Sequence, residues 1–437
     1  MTLLKKIKAF INKESSDYSR GYIDPFEFHK TFYFVLSAFK VSDIDNNMKP
    51  TVFNQNLVIF IFGLTASIMS FISLLHGVDI FDIPHITEAG TYFIILAYEL
   101  LIISCTKYNL PQYHNFLRAM KKDFQFICTI GEKYRTQFFV NQLKTRNICI
   151  FACIFTASIS IGMNIFAFLS LFYFLATHTP SDGGKRPLLF PFWIHNVDLS
   201  ASPIYEAVFC FSNMCALLYS FEYVYLKLSK EFFYLYTVMI QTQIVWVRHI
   251  ASKADIVIWF IQDLLVDIYP ATNSEEKRYF FHLIQRRLRD IVIHHQSMYS
   301  LLDDYAVVYK KMLIFEQTCC GPVICLTAYC TAEKLKEGEF NAILALLFIA
   351  TIVLYFIPSY LCTFLSVKVR SICDACWNIP FWNADPVIRP YMVLIMQRTL
   401  RPLPLCAPGF EDISVQTFSR KMTSAYSCFN MLRHANI

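Results

Sequence analysis

The chain has 437 residues, of which 55% are hydrophobic and only 16% are charged. A soluble domain has too little interior to bury so much apolar surface, so this composition excludes an ordinary soluble protein. The net charge of +6 does not indicate nucleic-acid binding, because the basic residues lie between hydrophobic runs rather than along one stripe. We therefore predict one all-α integral membrane protein.

The N-terminal segment, residues 1–50, is basic and is predicted to lie in the cytosol. From Leu3 to Lys13 it alternates apolar side chains with lysines, which is typical of an amphipathic helix on an anionic inner leaflet. A solvated helix end is the alternative. The segment has neither an apolar run of signal-peptide length nor a small-residue cleavage site, so we expect no cleaved signal peptide.

Six hydrophobic runs follow, each long enough to cross a hydrocarbon core of about 30 Å. Spans one to four are predicted within residues 51–226, and spans five and six within residues 312–367. The fourth run continues beyond the thickness of a bilayer, and a charged helical pattern precedes the fifth. We therefore predict that residues 227–311 form cytosolic helical extensions, an anchor layer beneath the membrane.

The C-terminal part of the chain is less regular. Residues 368–410 include SICDACWNIPFWNADP, which is too polar to span, so we predict an irregular cytosolic anchor segment. The run within residues 411–437 is only marginally apolar, and we interpret it as a seventh span whose polar face meets protein or water. The side chains that interrupt its hydropathy are Arg420, Lys421, Ser424, Ser427 and Asn430.

The charges of the connections predict how the spans are oriented. The N-terminal segment holds eight Lys and Arg residues, whereas the first connection, residues 76–88, has three acidic residues and no Lys or Arg. The second and fourth connections are also basic, and the third is close to neutral. We therefore predict a cytosolic N-terminus and, after seven spans, an external C-terminus.

Catalytic and metal-binding motifs are not evident in the sequence. We find no GxSxG, HExxH or Gly-rich phosphate loop. His294 and His295 stand too far from Asp303 and Asp304 for a metal site, and we interpret this stretch as a solvated helix face. The 15 cysteines fall mostly in apolar runs, as small core residues do. We expect no enzyme activity, no metal and no cofactor.

Several motifs resemble those of a known family. The stretch Ile372 to Trp382, the basic stretch Met396 to Arg401, the PLPLCAPGF block and ISVQTFSRKMTSAYSCFNMLR resemble the C-terminal signature of insect odorant receptors. FEFHKTFYFVLSAF is similar to the short re-entrant helix that precedes the first span in that family. The related gustatory receptors end in Thr-Tyr and Gln-Phe patterns, whereas this chain has Ala425-Tyr426 and no Gln-Phe there.

The resemblance implies a tetrameric, odorant-gated cation channel in the plasma membrane of olfactory sensory neurons. In such a channel the tuned receptor joins odorant co-receptor subunits, and the last helix of each subunit lines the pore. The match places Met431 at a hydrophobic gate. The expected pore residues are Ser427, Asn430, Met431, His434 and Ala435. We expect the anchor segment to contact neighbouring subunits through Trp377, Phe381 and Trp382.

The resemblance also implies a ligand pocket in the outer half of the helix bundle. Aromatic side chains with a few hydroxyls suit a small, mostly apolar volatile that carries one hydrogen-bonding group. The candidate lining residues are Tyr92, Ile95, Ile165, Phe168, Phe172, Tyr205, Phe209, Ser212 and Phe340. Carboxylates at membrane depth are costly, so each should be paired or face water. These are Glu99, Glu206, Glu222 and Glu316.

Other classes of membrane protein fit the sequence less well. A G-protein-coupled receptor would need an external N-terminus, and the last span has no Asn-Pro-x-x-Tyr motif. A transporter would usually show internal repeats or paired broken helices, and we find neither. A gustatory or G-protein-coupled chemoreceptor remains the alternative to an odorant receptor.

Overall fold

The structure, a computed structural model, describes residues 23–30, 32–33, 36, 52–177, 186–195, 197–199, 201–220, 235–268, 273–336, 338, 341–379, 387–401, 403 and 412–435. Within these ranges every regular element is an α-helix, as predicted. The amphipathic helix predicted between Leu3 and Lys13 lies outside the described residues.

Eleven helices lie in these ranges. They are α1 Pro25–Phe28, α2 Val52–Ile80, α3 Ile83–Tyr108, α4 Leu110–Thr129, α5 Glu132–Thr177, α6 Ile204–Ser220, α7 Leu235–Gln262, α8 Ser274–Lys336, α9 Ala342–Trp377, α10 Ile388–Thr399 and α11 Val415–Ala435.

Among the described residues, five helices are long and apolar enough to cross a membrane. These are α3, α5, α8, α9 and, from Phe60 onward, α2. The predicted fourth span begins with α6, and residues 221–234, between α6 and α7, lie outside the described ranges. The predicted seventh span is α11, whose polar side chains keep it below the hydropathy of a lipid-facing helix.

The α2–α3 connection shows how the sequence sets a tight helical hairpin. The carboxylate of Asp82 caps α3 by accepting a hydrogen bond from the backbone N–H of His85 at 3.2 Å. Phe81 adopts a positive φ of 58° in the turn. Gly77 of α2 faces α3 so closely that a Cβ there would lie 2.9 Å from Cδ2 of His85. The missing side chain therefore permits the close approach of the two helices.

Helix α7 lies at the centre of the packing, in contact with α3, α5, α6, α8 and α9. Its side chains from Met239 to Val257 are nearly all buried. Trp246 is fully buried and stacks on Phe116 of α4 with ring centroids 4.5 Å apart. Its indole Nε1 donates to the carbonyl oxygen of Leu301 at 3.2 Å. The chain beyond the fourth span is thus enclosed by other helices rather than projecting freely.

Helix α8 joins the charged segment and the fifth apolar run into one helix of 63 residues. Glu275 and Glu276 lie in its first turn, and Lys334 and Lys336 lie in its last. The acidic residues at the N-terminal end and the basic residues at the C-terminal end compensate the helix dipole and stabilise the helix. It packs against α3, α7, α9 and α11.

The segment after the sixth apolar run is more regular than predicted. We expect SICDACWNIPFWNADP to be irregular from its sequence, but α9 continues to Trp377. The helix persists because Ile372, Ala375 and Cys376 are buried at helical spacing, which forms an amphipathic turn that hydropathy alone does not reveal. The C-cap N–H of Asn378 donates to the carbonyl of Asp374 at 3.0 Å.

Candidate ligand site and pore helix

Segment 186–195, which is predicted to be external, folds into one end of the helix bundle. Its Leu189, Phe190 and Phe192 are buried. The ring of Phe190 meets Tyr92 of α3 edge-on, with centroids 4.9 Å apart, and Phe192 lies 6.2 Å from Phe211 of α6. Residues from a loop and two helices therefore share one enclosed aromatic cluster, which we call the outer aromatic cluster.

A hydrogen bond and ring stacking attach this segment to α2. The hydroxyl of Ser73 donates to the carbonyl of Pro191 and lies 3.0 Å from Nε2 of His85. The imidazole of His76 stacks on Trp193 at a centroid distance of 3.7 Å. The segment thus forms a cover over this end of the helix bundle.

The start of α6 fixes the other end of the cover. The Tyr205 hydroxyl donates to the carbonyl of Pro187 at 2.8 Å. Arg186 lies over the Tyr205 ring and forms an ion pair with Glu206 at 3.2 Å. Glu206, one of the costly carboxylates in the sequence, is therefore paired at the surface.

Part of the predicted pocket lining is brought together between α5 and α6. The ring of Phe209 lies 5.8 Å from that of Tyr205 and 5.4 Å from that of Phe168. Ser212 is fully buried, and its hydroxyl donates to the carbonyl of Phe209 at 2.9 Å. Tyr92 belongs instead to the outer aromatic cluster.

The remaining predicted lining residues are more scattered. Ile165, Phe168 and Phe172 lie on α5 with side chains 51%, 57% and 72% exposed, so much of this face contacts no other described helix. Ile95 is partly buried in the core. Phe340 lies outside the described residues.

Sequence reasoning missed the aromatic residues of the cover. Phe190 and Phe192 fall in a connection rather than in a span, so neither is among the predicted lining residues. The signal available was the apolar run PLLFPFW, which is unusual for an external loop because solvated loops rarely carry adjacent aromatic residues.

A second polar site lies deeper in the bundle, between α3 and α8. The Tyr98 hydroxyl donates to a carboxylate oxygen of Glu316, and the ring of Tyr98 stacks on Phe315 at 5.3 Å. Glu99 is also buried, and its Oε2 has no hydrogen-bond partner among the described residues. Glu222 lies outside the described residues. Carboxylates thus concentrate where α3 meets α8.

Helix α11 has one face packed against α8 and α9 and one face exposed. Phe418 and Ala425 are buried, with Leu432 packed beside them, in a cluster with residues of α8 and with Tyr355 of α9. The opposite face is exposed at helical spacing. Its residues are Arg420, Ser424, Ser427, Met431 and His434.

The exposed side of α11 is mostly polar, and its two large exposed apolar side chains are Tyr426 and Met431. The hydroxyls of Ser424 and Ser427 donate to the carbonyls of Arg420 and Thr423, so they need no partner from lipid. Met431 is 73% exposed. Asn430, beside it, is half-buried, and Ala435 ends the helix.

Of the three predicted anchor residues, the structure describes only Trp377. Trp377, at the end of α9, is 63% exposed. Phe381 and Trp382 lie outside the described residues. Nearby, α8 and α10 enclose a groove of about 330 Å³ that is lined by Leu288, Arg289 and Tyr391 among others.

Over the described part of the chain, no three His, Cys, Asp or Glu side chains are placed to hold a metal ion.

The helical architecture and its apolar spans define a multi-pass membrane protein. Comparison with known families gives the class. A family model described as 7tm Odorant receptor matches residues 82–426. The chain therefore belongs to the 7tm Odorant receptor family, and it is a receptor rather than an enzyme. The resemblance inferred from its C-terminal motifs is confirmed.

Similar proteins agree with the family. Odorant receptor 49a of Drosophila melanogaster is 22% identical over 43% of this chain and 46% of its own length. Putative odorant receptor 85d of the same species is 25% identical over 33% of this chain and 35% of its own length. The matched segments thus span less than half of these relatives.

Solved structures extend the agreement to the fold. The insect olfactory receptor OR5 from Machilis hrabei has a TM-score of 0.67 with 12% identity, over 93% of this chain and 99% of that chain. The same receptor in complex with eugenol matches with the same TM-score and identity, over 94% of this chain. At this identity the likeness shows the fold alone.

Proposed function

We propose that the chain is the tuned subunit of an odorant-gated, non-selective cation channel and that α11 lines its pore. The single observation that carries this proposal is the exposed polar face of α11. A helix among apolar spans that presents Ser427, Arg420 and His434 on one face needs water or protein opposite that face. Identical or related helices that surround a central pore would place water and neighbouring protein opposite this face.

The gate of this pore is Met431. It is more exposed than Tyr426, the other large apolar side chain on the exposed side of α11, and a ring of such side chains excludes water from a narrow pore. Leu432, its neighbour, packs against the cluster formed with α8 and α9 and therefore points away from that face. Ser427, Asn430, His434 and Ala435 line the approach to the gate.

The ligand is a small volatile that binds in the outer half of the bundle. The outer aromatic cluster and the Tyr205–Phe209 pair supply apolar surface, and Ser212 and the Tyr205 hydroxyl supply hydrogen-bonding groups. The eugenol complex of the Machilis hrabei receptor supports the chemistry of this class, an aromatic ring with few polar groups. Tyr92, Ile95, Ile165, Phe168, Phe172 and Phe340 complete the proposed lining.

The working channel is a hetero-oligomer, a tetramer with odorant co-receptor subunits, in the plasma membrane of olfactory sensory neurons. Exposed apolar side chains of the cytosolic layer support an oligomer, since Trp377, Leu394 and Ile293 are 63%, 63% and 48% exposed. With Phe381 and Trp382, Trp377 forms the proposed subunit anchor. A gustatory or G-protein-coupled chemoreceptor is the alternative function.

The proposal is tested by basal current in cells that co-express the chain with the co-receptor. Met431→Ser replaces an apolar constriction with a hydroxyl, which lowers the cost of a water-filled pore, so current without odorant should rise. Leu432→Ser, at equal surface expression, is the matched control and should leave basal current unchanged. Wild-type chain without co-receptor should carry little current.

Leak from Leu432→Ser but not from Met431→Ser would mean that the helix faces the pore in another register. No odorant-evoked cation current under any combination of subunits, with the chain at the surface, would contradict the channel itself.

A further inference from the structure

A cleft of about 540 Å³ opens among α5, α7 and α9 on the side of the molecule away from the outer aromatic cluster. Three basic side chains line it, Lys144 of α5, Arg248 of α7 and Lys368 of α9. Trp259 and Phe364 supply apolar walls. The odorant site and the pore helix use none of these residues.

The charges of the cleft do not cancel. Asp255 is its one acidic lining residue among the residues that the structure describes, and it is held by Lys368 at 2.5 Å and by the amide of Asn141 at 3.1 Å. Within the same part of the chain, Lys144 and Arg248 form no ion pair. Three cations against one anion leave a net charge of about +2 in the cleft.

Arg248 is held in place before any ligand binds. Its Nε donates to the hydroxyl of Thr145 at 2.8 Å, and its guanidinium lies over the ring of Phe364 at 5.3 Å from the centroid. Both contacts restrict a side chain that would otherwise be flexible. A positioned guanidinium matches the geometry of phosphate oxygens better than a free lysine does.

The sequence sets the depth of the cleft in the membrane. Lys144 stands four residues before the apolar run of α5, which begins near Ile148, and Lys368 directly follows the apolar run of α9. Both ends face the cytosol in the proposed orientation. Basic side chains at the ends of spans, with a tryptophan nearby, lie at the level of lipid headgroups.

We propose that this cleft binds the headgroup of a phosphoinositide, a lipid of the inner leaflet that carries phosphomonoesters. Lys144, Arg248 and Lys368 would bind the phosphates, and the apolar walls would contact the start of the acyl chains. The volume accommodates a sugar ring with several phosphates, which a phosphatidylserine headgroup would not fill. The inference rests on the proposed orientation but not on odorant gating.

The test measures lipid binding to the purified full-length chain by the shift of its melting temperature, without odorant or current. The probe is short-chain phosphatidylinositol 4,5-bisphosphate, compared with inositol trisphosphate and with short-chain phosphatidylserine. We expect a saturable shift with the phosphoinositide that is much weaker with the other two. Lys144→Gln and Arg248→Gln should each weaken binding by about fivefold, as expected for one basic contact.

Lys121→Gln is the matched control, because Lys121 is an exposed lysine of the same cytosolic connection that does not line the cleft. It should leave binding unchanged. Lys144 is itself exposed, so its variant should keep the melting temperature of the lipid-free protein. Equal weakening by Lys121→Gln and Lys144→Gln would reveal only a diffuse surface charge and overturn the site.

Two further results would also overturn it. Equal binding of inositol trisphosphate would make a soluble phosphate the ligand, and equal binding of phosphatidylserine would remove the requirement for phosphomonoesters. Failure of the odorant-current experiment would contradict the proposed function and leave these binding results intact.

Discussion

Asp123, His249 and Lys253 form an ion cluster that is almost fully buried among α4, α7 and α8. The carboxylate oxygens of Asp123 lie 2.8 Å from Nε2 of His249 and 2.9 Å from Nζ of Lys253. Lys253 also donates to the hydroxyl of Ser297 at 2.8 Å. Buried charges are tolerated only when paired, so each member depends on the others.

The cluster keeps Asp123 ionised. Burial alone would raise the pKa of its carboxyl, but the hydrogen bond from His249 and the charge of Lys253 lower the pKa overall. A lowered pKa in the folded state means that the unfolded chain binds its proton first as the pH falls. The stabilisation from Asp123 is therefore present above the ordinary carboxyl pKa of about 3.9 and is lost as pH falls through the folded value.

Asp123→Asn should destabilise the protein strongly, because it leaves the Lys253 ammonium buried without a counter-charge. The expected cost is about 3–5 kcal/mol. Ser297→Ala removes one hydrogen bond from the same ammonium and should cost about 1 kcal/mol. The measurement is thermal unfolding of the detergent-solubilised chain at neutral pH. Equal losses in the two variants would show that the ion pair is not the dominant contact.

The ion cluster could not be predicted from the sequence. Asp123 and Lys253 are separated by 130 positions, and no local pattern indicates that they meet. The same limit applies to His295, which the sequence places on a solvated face. It is buried, and burial lowers its pKa to about 4, with the positive charge of Arg398 adding to the effect. Asp123 and His295 are each buried by helices that lie far from them in the sequence.

At the scale of helices, the α2–α3 hairpin depends on one glycine. A Cβ at Gly77 would lie 2.9 Å from Cδ2 of His85 and 3.3 Å from the backbone nitrogen of Ile86. The imidazole could move, but the backbone of α3 could not without separating the helices. Nε2 of His85 also lies within hydrogen-bond distance of Ser73, which holds the cover, so the strain would reach the cover.

Gly77→Ala should therefore lower the stability of the protein by about 1–3 kcal/mol, as overpacking does. Gly321→Ala is the control, since a Cβ there meets no atom within 4 Å and alanine favours a helix. Melting temperatures of the two variants in detergent give the comparison. A Gly77→Ala protein as stable as Gly321→Ala would show that the hairpin can widen at little cost.

The sequence predicted helices best where apolar runs are long. Hydropathy found the runs within α2, α3, α5, α8 and α9, because an uncharged stretch of spanning length is rare outside a membrane helix. It missed that α9 extends to Trp377 and that α10 is helical. Those segments are amphipathic, and their apolar faces are apparent only once the neighbouring helices are in place.

For the whole molecule, the distribution of charge makes a prediction about topology. An epitope at the N-terminus should be reached by antibody only after the cells are permeabilised, and an epitope at the C-terminus without permeabilisation. The reason is the excess of Lys and Arg in the N-terminal segment and in the second and fourth connections. Immunofluorescence on intact and permeabilised cells provides the measurement.

Staining of the N-terminal epitope on intact cells would contradict this topology and place the N-terminus outside the cell. It would remove the channel proposal and favour the G-protein-coupled alternative. An epitope inserted after Pro187, in the cover, serves as the internal control. It should stain intact cells if the N-terminus is cytosolic, and only permeabilised cells if the N-terminus is external.

Family membership could be predicted from the sequence because the C-terminal motifs concentrate in one stretch. The candidate site could be predicted only in part. Tyr205, Phe209 and Ser212 meet, since they lie at helical spacing on α6. Phe190 joins Tyr92 through a loop whose path no periodicity describes. Pockets assembled from loops depend on contacts between distant segments, and those contacts have no local signature.

The length of α8 has a mechanical consequence. At 63 residues the helix is about 95 Å long, several times its own width, with Pro322 inside it. Toward its C-terminal end Cys330 contacts Thr87 of α3 and Val323 packs in the cluster with α11, and toward its N-terminal end Leu288 lines the groove shared with α10. A tilt of about 2° moves one end by about 3 Å relative to the other. Under the proposed function, a small displacement of α8 near Cys330 would therefore reach the groove that Leu288 lines near its other end.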